Sequence, residues 1–354
     1  MKKRVLSGLR PTGKVHLGHL VGALQNWIEL QSRYDCYFFV ADWHALTTNY
    51  ADTSQLQQNI FDGVTDYLAV GLDPSKAILF LQSQAPQHAE LHLLLSLITP
   101  LGWLERVPTY KEQRENIQDK DLGTYGFLGY PVLQSADILI YKANFVPVGE
   151  DQVAHIELTR EICRRFANFY GAVFPEPQPL LTPTPRLPGT DGRKMSKSYG
   201  NAIYLSDPEP VVREKVANMM TDPARKRRSD PGNPDICPVF AYHKLCSPPE
   251  TVEMVNVECR RAGIGCVDDK KLMANHLVKF LEPYRERHIE LARQPKLVWD
   301  ILETGSRAAR KTAEQTMQEV RAAMNLIPGG EPRPPAAQAR GQAEKPAEAH
   351  EHSG

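Results

Sequence analysis

The sequence lacks the features of a membrane-bound or exported protein. No apolar run approaches the roughly 18 residues that a membrane-spanning helix needs. The chain turns polar again directly after Val5 and Leu6, which is too early for a signal peptide. We therefore expect a cytoplasmic protein without a membrane partner, whose six cysteines are mostly reduced thiols or ligands.

A net charge is also absent, because 42 basic residues balance 42 acidic ones. Bulk charge therefore does not indicate a nucleic-acid partner, and any surface that binds nucleic acid must be local. Hydrophobic residues make up 42% of the chain and charged residues 24%, which is typical of globular proteins. A chain of 354 residues is long enough for a large core in one or two domains.

Strand-like and helix-like segments alternate in the N-terminal quarter of the chain. The patterns predict strands at 4–7, 36–41 and 78–81 and amphipathic helices at 18–32 and 53–68. This alternation predicts an α/β fold with a Rossmann-type, doubly wound parallel sheet. In such sheets ligands bind at the carboxyl ends of the strands.

The start of the first predicted helix carries the motif His16-Leu17-Gly18-His19. A strand, a glycine turn and a helix in this order present backbone amides to a phosphate group. Gly18 leaves room for a ligand near the backbone, and the imidazoles can donate hydrogen bonds to phosphate oxygens without a full buried charge. Alone, such a pair of histidines is more often a surface or capping feature.

A second motif, Lys194-Met195-Ser196-Lys197-Ser198, follows the turn-rich segment 183–193. Two ammonium groups with neighbouring hydroxyls and loop amides suit a polyphosphate, and a loop can close after the substrate has bound. Alone, this loop is more often a basic turn in solvent.

The two motifs together, in this order on an α/β pattern, resemble those of the class I aminoacyl-tRNA synthetases. The resemblance runs from about residue 4 to residue 326 and implies that the chain binds ATP and activates an amino acid. The segments 135–141 and 147–152, followed by His155, closely resemble the tryptophanyl-tRNA synthetases. The implied partners are therefore L-tryptophan, ATP with Mg²⁺, and tRNA(Trp), and the family also implies a homodimer.

The resemblance assigns roles to individual residues. Asp137 is implied to accept a hydrogen bond from the indole N–H, which is the only hydrogen-bonding group of that ring. The alternative for this aspartate is a cap at the start of a helix. The predicted tryptophan site also contains Gln152 and His44, and for His44 a purely structural role is the alternative. The implied ATP-binding residues are Arg10, Pro11, Thr12, Gly18, His19, Gly149, Glu150, Asp151, Leu187, Lys194, Met195, Ser196, Lys197 and Ser198.

The family mechanism needs positioning and charge more than covalent chemistry. The tryptophan carboxylate attacks the α-phosphorus of ATP, pyrophosphate leaves, and the adenylate then passes its tryptophan to the 2′-hydroxyl of the tRNA. Two positions depart from the common bacterial pattern, since Arg10 stands where glutamine is usual and Gln134 where methionine often packs on the indole. The predicted catalytic residues are His16, His19, Lys194 and Lys197.

The composition changes along the chain and suggests a division into domains. We predict a catalytic domain at 1–205 with a helical insertion at about 105–145, a helical domain on the anticodon side at 206–327, and a disordered tail at 328–354. Within the helical part, the basic cluster 225–228 is either a loop in solvent or a contact to the tRNA backbone.

Cys237, Cys259 and Cys266 have a spacing that resembles a subset of bacterial tryptophanyl enzymes with a [4Fe–4S] cluster. Those enzymes have a fourth cysteine three residues after the third, and here that place holds Asp269. Because four thiolates usually hold such a cluster, the aspartate favours free thiols over a bound cluster, although Cys246 is an alternative fourth ligand.

Three other functions compete with tryptophan activation. Tyrosyl-tRNA synthetase shares the fold and both ATP motifs, but the segments around Asp137 and Gln152 argue against it. A small-molecule nucleotidyltransferase also uses the first motif, but it does not need the helical part of the chain. A non-catalytic paralogue with a regulatory or RNA-binding role would be free to lose the histidines and lysines of the two motifs.

Overall fold

The computed structural model of the chain describes residues 2–107, 122–181 and 187–328. Residues 108–121, the central part of the predicted helical insertion, lie outside the described residues, as does the predicted disordered tail from residue 329 onward. No helix in the described ranges is long and apolar enough to cross a membrane.

A parallel sheet forms the centre of the described part of the molecule. Its strand order is β3-β2-β1-β4-β5, and every neighbouring pair is parallel. The order grows outward from β1 in one direction and then in the other, which confirms the predicted doubly wound α/β fold. The strands are β1 Arg4–Leu9, β2 Asp35–Val40, β3 Ala77–Leu81, β4 Phe145–Val148 and β5 Gln178–Leu181.

Helices cover the sheet and form most of the second half of the chain. Among the described residues they are α1 Leu17–His19, continued by a π-helical turn Leu20–Leu24 into α2 Gln25–Arg33, then α3 Asp42–Asn49, α4 Leu56–Ala69, α5 Gln87–Ser96, α6 Leu101–Leu104, α7 Tyr125–Ile140, α8 Val153–Tyr170, α9 Glu209–Ala217, α10 Pro238–Cys246, α11 Pro249–Arg260, α12 Cys266–Ala292 and α13 Pro295–Ala323. The helix predicted to start at residue 53 begins at Leu56, because Thr53 forms a turn in which its carbonyl accepts the Leu56 N–H at 3.0 Å.

The central strand β2 is buried on both faces, which explains its continuous apolar sequence. Successive side chains point to opposite faces, so Phe38 and Phe39 enter two different cores. Phe38 stacks on Trp27 with ring centroids 4.5 Å apart, and Phe39 stacks on Phe80 at 5.5 Å. The sheet is therefore held by an apolar layer on each side.

The long C-terminal helix α13 packs directly on strand β3. A Cβ atom at Gly305 would collide with the carbonyl of Leu79, so glycine allows this close approach of helix and strand. The next residue, Ser306, accepts a hydrogen bond from the N–H of Leu81 at 3.1 Å. The helix therefore contributes to the core beside the sheet, and the predicted boundary at residue 205 stays a prediction.

Candidate active site

A cavity of about 390 Å³ opens at the carboxyl edge of the sheet. Its walls include residues 6–9 of β1 and 146–148 of β4, the two neighbouring strands at which the strand order changes direction. Doubly wound sheets bind their ligands at this point, and the volume is that of a small-molecule site.

Several residues that the sequence predicted as substrate contacts line this cavity together. They are Arg10, His44, Asp137, Gly149 and Gln152, and Gln134 joins them. Both positions that depart from the common pattern, Arg10 and Gln134, therefore face the same space. The side chains of Asp151 and Ser198 lie outside the described part of the structure. The predicted residues that do not line the cavity are Pro11, Thr12, His16, Gly18, His19, Glu150, Leu187, Lys194, Met195, Ser196 and Lys197.

The buried polar centre of the cavity wall is Asp137, which is 1% exposed. It lies in the last turn of α7, so the alternative interpretation as a cap at a helix start is wrong. Its Oδ2 accepts from His44 Nε2 at 2.7 Å, and its Oδ1 accepts from His88 Nδ1 at 2.6 Å and from Gln82 Nε2 at 2.8 Å. The carboxylate is thus fixed by three donors from three segments.

These contacts decide the charge of Asp137. Burial alone would raise the pKa of this carboxyl group, because water no longer stabilises the charged form. The charges and hydrogen bonds of His44 and His88 outweigh burial and hold the pKa well below its ordinary value. Asp137 is therefore a carboxylate at neutral pH and offers only acceptor oxygens to a ligand.

Two members of this cluster, Gln82 and His88, were not among the predicted site residues. Gln82 follows β3 directly and His88 lies in the first turns of α5. The signal was present in the sequence, because polar residues at the carboxyl end of a parallel strand face the ligand edge. The pairing of His88 with Asp137 depends on how α5 packs against α7, which the sequence pattern does not give.

The two sequence motifs touch each other outside the cavity. The backbone N–H of Gly18 donates to Met195 Sδ at 3.2 Å. The chain after the second motif then pairs with the first, since Leu17 N–H donates to Ile203 O at 2.9 Å and His16 forms a bridge with Tyr204. Residues about 180 positions apart in the sequence are therefore neighbours, as the resemblance implied.

The histidines of the first motif are neutral at physiological pH. His16 and His19 stack with ring centroids 3.8 Å apart. Burial and, to a smaller extent, the positive charge of Lys197 lower the pKa of His16 to about 4. The pKa of His19 is lowered to about 3, mainly by burial and also by the electrostatic effects of His16, Lys197, Lys194 and Arg10. Neutral imidazoles keep one donor and one acceptor nitrogen each.

Lys197 of the second motif reaches back to the first. Its ammonium donates a hydrogen bond to the carbonyl of Thr12 and lies 5.6 Å from the centre of the Tyr204 ring. Burial lowers the pKa of Lys197 to about 8, while the negative charges of Asp66 and Asp62 act in the opposite direction. The lysine is therefore mostly charged at pH 7 and titrates just above it.

Asn201 organises the second motif and was not predicted. This side chain is 2% exposed, and its amide nitrogen donates to Asp191 Oδ1 at 2.7 Å and to Lys194 O at 3.1 Å. Its amide oxygen accepts from the Ser196 N–H at 2.8 Å. The loop is held further by Tyr242, whose hydroxyl donates to the Pro188 carbonyl at 2.9 Å.

The segment after β4 adds a short turn at the edge of the cavity. Glu150–Gln152 forms one 3₁₀ turn, and Gln152 is the residue before α8. His155 follows in the first turn of α8, buried at 2% exposure, with Nε2 3.4 Å from the hydroxyl of Tyr130. Leu187 is partly buried against the core on the side of the first motif.

Cys237, Cys266 and Asp269 lie within electrostatic range of Cys259, outside the lining of the cavity, but among the described residues no group of three or more His, Cys, Asp or Glu is placed to hold a metal ion. Burial raises the pKa of the Cys237 and Cys259 thiols, and the three other groups of the set act electrostatically on Cys259. Asp269, in the place of a fourth cysteine, accepts a hydrogen bond from His243 Nε2 at 3.0 Å. Three thiols and a carboxylate paired with histidine do not fit a cluster that four thiolates hold.

The basic cluster 225–228 divides into one structural and three exposed residues. Arg225 donates to the carbonyls of Arg228 at 2.9 Å and Ile264 at 2.7 Å. Lys226, Arg227 and Arg228 are exposed. Contact with tRNA stays a prediction for these three residues.

Comparisons with known proteins show the family to which the chain belongs. A family model described as tRNA synthetases class I (W and Y) matches residues 1–282. A tryptophan–tRNA ligase of Thermotoga maritima is 55% identical over 326 residues, which cover 92% of this chain and 99% of that protein. One of Aquifex aeolicus is 46% identical over 393 aligned residues, covering 91% of this chain and all of the relative.

A solved structure gives the same result. The crystal structure of tryptophanyl-tRNA synthetase from Campylobacter jejuni complexed with ADP and tryptophan superposes with a TM-score of 0.83 at 32% identity. The match covers 91% of this chain and 100% of that one. The chain therefore belongs to the class I tRNA synthetases of the tryptophan and tyrosine family, within the tryptophan–tRNA ligases.

Proposed function

We propose that the chain activates L-tryptophan with ATP to tryptophanyl-adenylate and transfers the amino acid to tRNA(Trp), the reaction of a tryptophan–tRNA ligase. The observation that carries this assignment is the buried carboxylate of Asp137 in a cavity beside two touching ATP motifs. The protein acts in protein synthesis, and we infer the cytoplasm as its location.

Asp137 supports recognition of the indole ring. Its Oδ1 accepts two hydrogen bonds, whereas its Oδ2 accepts one, from His44. A carboxylate oxygen has room for two donors, so Oδ2 is the atom that would accept the indole N–H. An analogue that lacks this N–H would leave the buried Oδ2 without its second hydrogen-bond donor. The site therefore discriminates against such an analogue. Gln152, at the start of α8, would contact the amino-acid part of the substrate.

The first and second motifs support the ATP part of the reaction. His16 and His19, neutral because of burial, would donate hydrogen bonds to phosphate oxygens without repelling Mg²⁺. Lys197 and Lys194 would meet the negative charge that develops on the leaving pyrophosphate. Lys197 is mostly charged at pH 7, and its ammonium donates a hydrogen bond to the carbonyl of Thr12. Phosphate oxygens of the nucleotide can replace that carbonyl as the acceptor.

Mg²⁺ would bind together with the nucleotide and neutralise the negative charge of its phosphate groups. Within residues 2–107, 122–181 and 187–328, no group of three or more His, Cys, Asp or Glu side chains could hold a metal ion. The phosphates are therefore the expected principal ligands, in keeping with the way Mg²⁺ binds in many nucleotide sites.

The competing functions are less well supported. The relatives at 46% and 55% identity are tryptophan ligases, which favours tryptophan over tyrosine. A small-molecule nucleotidyltransferase does not account for the helical segments α9–α13, which follow the second motif. A non-catalytic paralogue does not account for two intact motifs in direct contact.

We also propose that the enzyme works as a homodimer. Exposed leucines follow one another on and after α5, with Leu93 at 58%, Leu97 at 69% and Leu101 at 62% exposure. An apolar surface of this kind favours association. A monomeric mass in solution at micromolar protein concentration would contradict the dimer.

The decisive experiment is amino-acid-dependent ATP–pyrophosphate exchange with each of the twenty amino acids. Exchange with tryptophan alone is the expected result. Exchange with tyrosine would reassign the substrate and remove the proposed role of Asp137. Exchange with no amino acid, in the presence and absence of tRNA(Trp), would favour a paralogue that does not catalyse activation.

A further inference from the structure

A second buried carboxylate, Asp66 of α4, lies behind the ATP motifs. It is 0% exposed and is not one of the predicted catalytic or substrate-binding residues. Its Oδ2 accepts from the backbone N–H of Val15 at 2.7 Å, directly before His16. Its Oδ1 lies 2.7 Å from Nδ1 of His288, near the C-terminal end of α12. One carboxylate thus joins the first ATP motif to the helical half of the chain.

The ammonium of Lys197 lies close to the segment that Asp66 holds, because it donates a hydrogen bond to the carbonyl of Thr12, three residues before Val15. Two acidic groups of α4, Asp66 and the less buried Asp62, favour its charged form. From the first motif, His16 and His19 face it and are themselves affected by its charge. The ring of Tyr204 lies 5.6 Å from the ammonium of Lys197 and also contacts the ammonium of Lys215 at 4.7 Å.

We propose that Asp66 is a positioning residue for adenylate formation, which holds the first ATP motif against α12 and supplies the negative charge that keeps Lys197 charged in a partly buried site. The inference rests on the proposed function. It adds a residue on α4 that contacts neither ATP nor tryptophan in the proposed site and acts through Val15 and Lys197.

Loss of the Asp66 charge changes the pKa of Lys197 in one direction only. Burial removes water from the Lys197 ammonium and lowers its pKa to about 8, and the charge of Asp66 opposes that effect. Neutralising Asp66 removes the opposing charge, so the pKa of Lys197 must fall further. Since the charged lysine is the active form, activity is lost as pH rises through this pKa. The alkaline limb of the pH profile must therefore move to lower pH.

The test compares wild type with Asp66→Asn by measuring kcat/KM for ATP in tryptophan-dependent pyrophosphate exchange between pH 7 and 9.5. This parameter reports the free enzyme, where Lys197 has the environment described above. Asparagine keeps the shape and an oxygen acceptor for Val15. We expect the alkaline limb to move down by roughly one pH unit, with KM for tryptophan at pH 7 changed less than about twofold. A limb that coincides with that of wild type overturns the inference.

Two matched variants separate charge from structure. His288→Gln keeps the Asp66 carboxylate but alters the link to α12, so we expect a lower melting temperature and an unmoved limb. Asp62→Asn removes the other charge without touching Val15 or His288, so we expect a smaller shift in the same direction. If Asp66→Asn does not fold, an unmoved limb in Asp62→Asn contradicts the electrostatic part of the proposal.

The identity of the titrating group is tested in a Lys197→Arg background. Arginine stays charged throughout this range, so Asp66→Asn must no longer shift the limb there. A shift that persists would mean that another group titrates, which overturns the inference. The titration of labelled Lys197, followed by NMR and assigned with the same variant, measures the pKa without turnover. Wild type without exchange would refute the proposed function, whereas an equal Lys197 pKa in wild type and Asp66→Asn refutes the role of Asp66.

Discussion

Asp137 and Lys197 are two charges in one site, but their surroundings differ. Asp137 is fully buried and held by three side-chain donors, His44, His88 and Gln82. Lys197 is half-buried and rests on one backbone carbonyl and the face of Tyr204. The hydrogen bonds that hold Asp137 are therefore already formed without a ligand. The contacts of Lys197, in contrast, can be replaced by the phosphate oxygens of a nucleotide. We infer that Asp137 serves recognition and Lys197 serves the chemical step.

The largest effect is expected from Lys197→Ala. Loss of a charge that acts on the leaving pyrophosphate should lower the rate of tryptophan activation by about 10²-fold or more. KM for tryptophan should change little, because Asp137 and its partners are untouched. Single-turnover adenylate formation and pyrophosphate exchange measure the two effects separately.

Lys215→Ala is the matched control for this change. Lys215 contacts the same Tyr204 ring at 4.7 Å and pairs with Asp207 at 2.6 Å. We expect it to keep activity within about threefold but to lower the stability of the fold, since the buried carboxylate of Asp207 loses its ammonium partner. Near wild-type exchange in Lys197→Ala would remove the lysine from the mechanism and end the contrast with Asp137.

A different kinetic result is expected from Asp137→Asn. The amide nitrogen would face donors at one of the two oxygen positions, which costs about 2 kcal/mol in a buried site. We expect KM for tryptophan to rise roughly 30-fold, with a smaller change in kcat. Steady-state exchange at varied tryptophan concentration gives both values. A variant with unchanged KM and reduced kcat would show that Asp137 acts in the chemical step, opposite to the comparison above.

Much of this site followed from the sequence because two short motifs and one strand pattern determine it. The continuous apolar run at 36–41 predicts a buried parallel strand, and the structure has β2 there with both faces covered. The motif residues Gly18 and Met195 are in contact, as a shared phosphate site requires. Local patterns of this kind predict the structure well because they reflect backbone geometry and burial.

The partners of the site residues could not be predicted in the same way. His88 reaches Asp137 only because α5 packs against α7, and His288 reaches Asp66 across more than two hundred residues. Neither contact leaves a periodic signal in the sequence. The position of Asp137 at the end rather than the start of a helix also depended on where α7 begins, and helix ends are weakly encoded.

Asn201→Ala tests whether the loop side of the site depends on its backbone. The change removes the bonds to Asp191, Lys194 and Ser196 and leaves both lysine side chains in place. We expect about a tenfold lower kcat, an unchanged KM for tryptophan, and a loss of roughly 1–3 kcal/mol in unfolding free energy. Chemical denaturation and exchange kinetics measure these quantities. Unchanged kcat with reduced stability would limit Asn201 to a structural role.

The smallest effect on activation is expected at Asp269, which resembles Asp137 in its surroundings but not in its position. Both are buried carboxylates paired with histidine, but Asp269 and His243 lie outside the lining of the cavity. Asp269→Cys should therefore keep tryptophan-dependent exchange within about twofold, while it supplies a fourth thiol to the three cysteines. After anaerobic reconstitution, we expect iron and sulfide to be retained by the variant and not by wild type. If wild type retained four irons per chain, a carboxylate would be an adequate fourth ligand here. If exchange fell as far as in Asp137→Asn, a buried aspartate outside the cavity would matter as much as the one inside it, and its position in the cavity would not explain the role of Asp137.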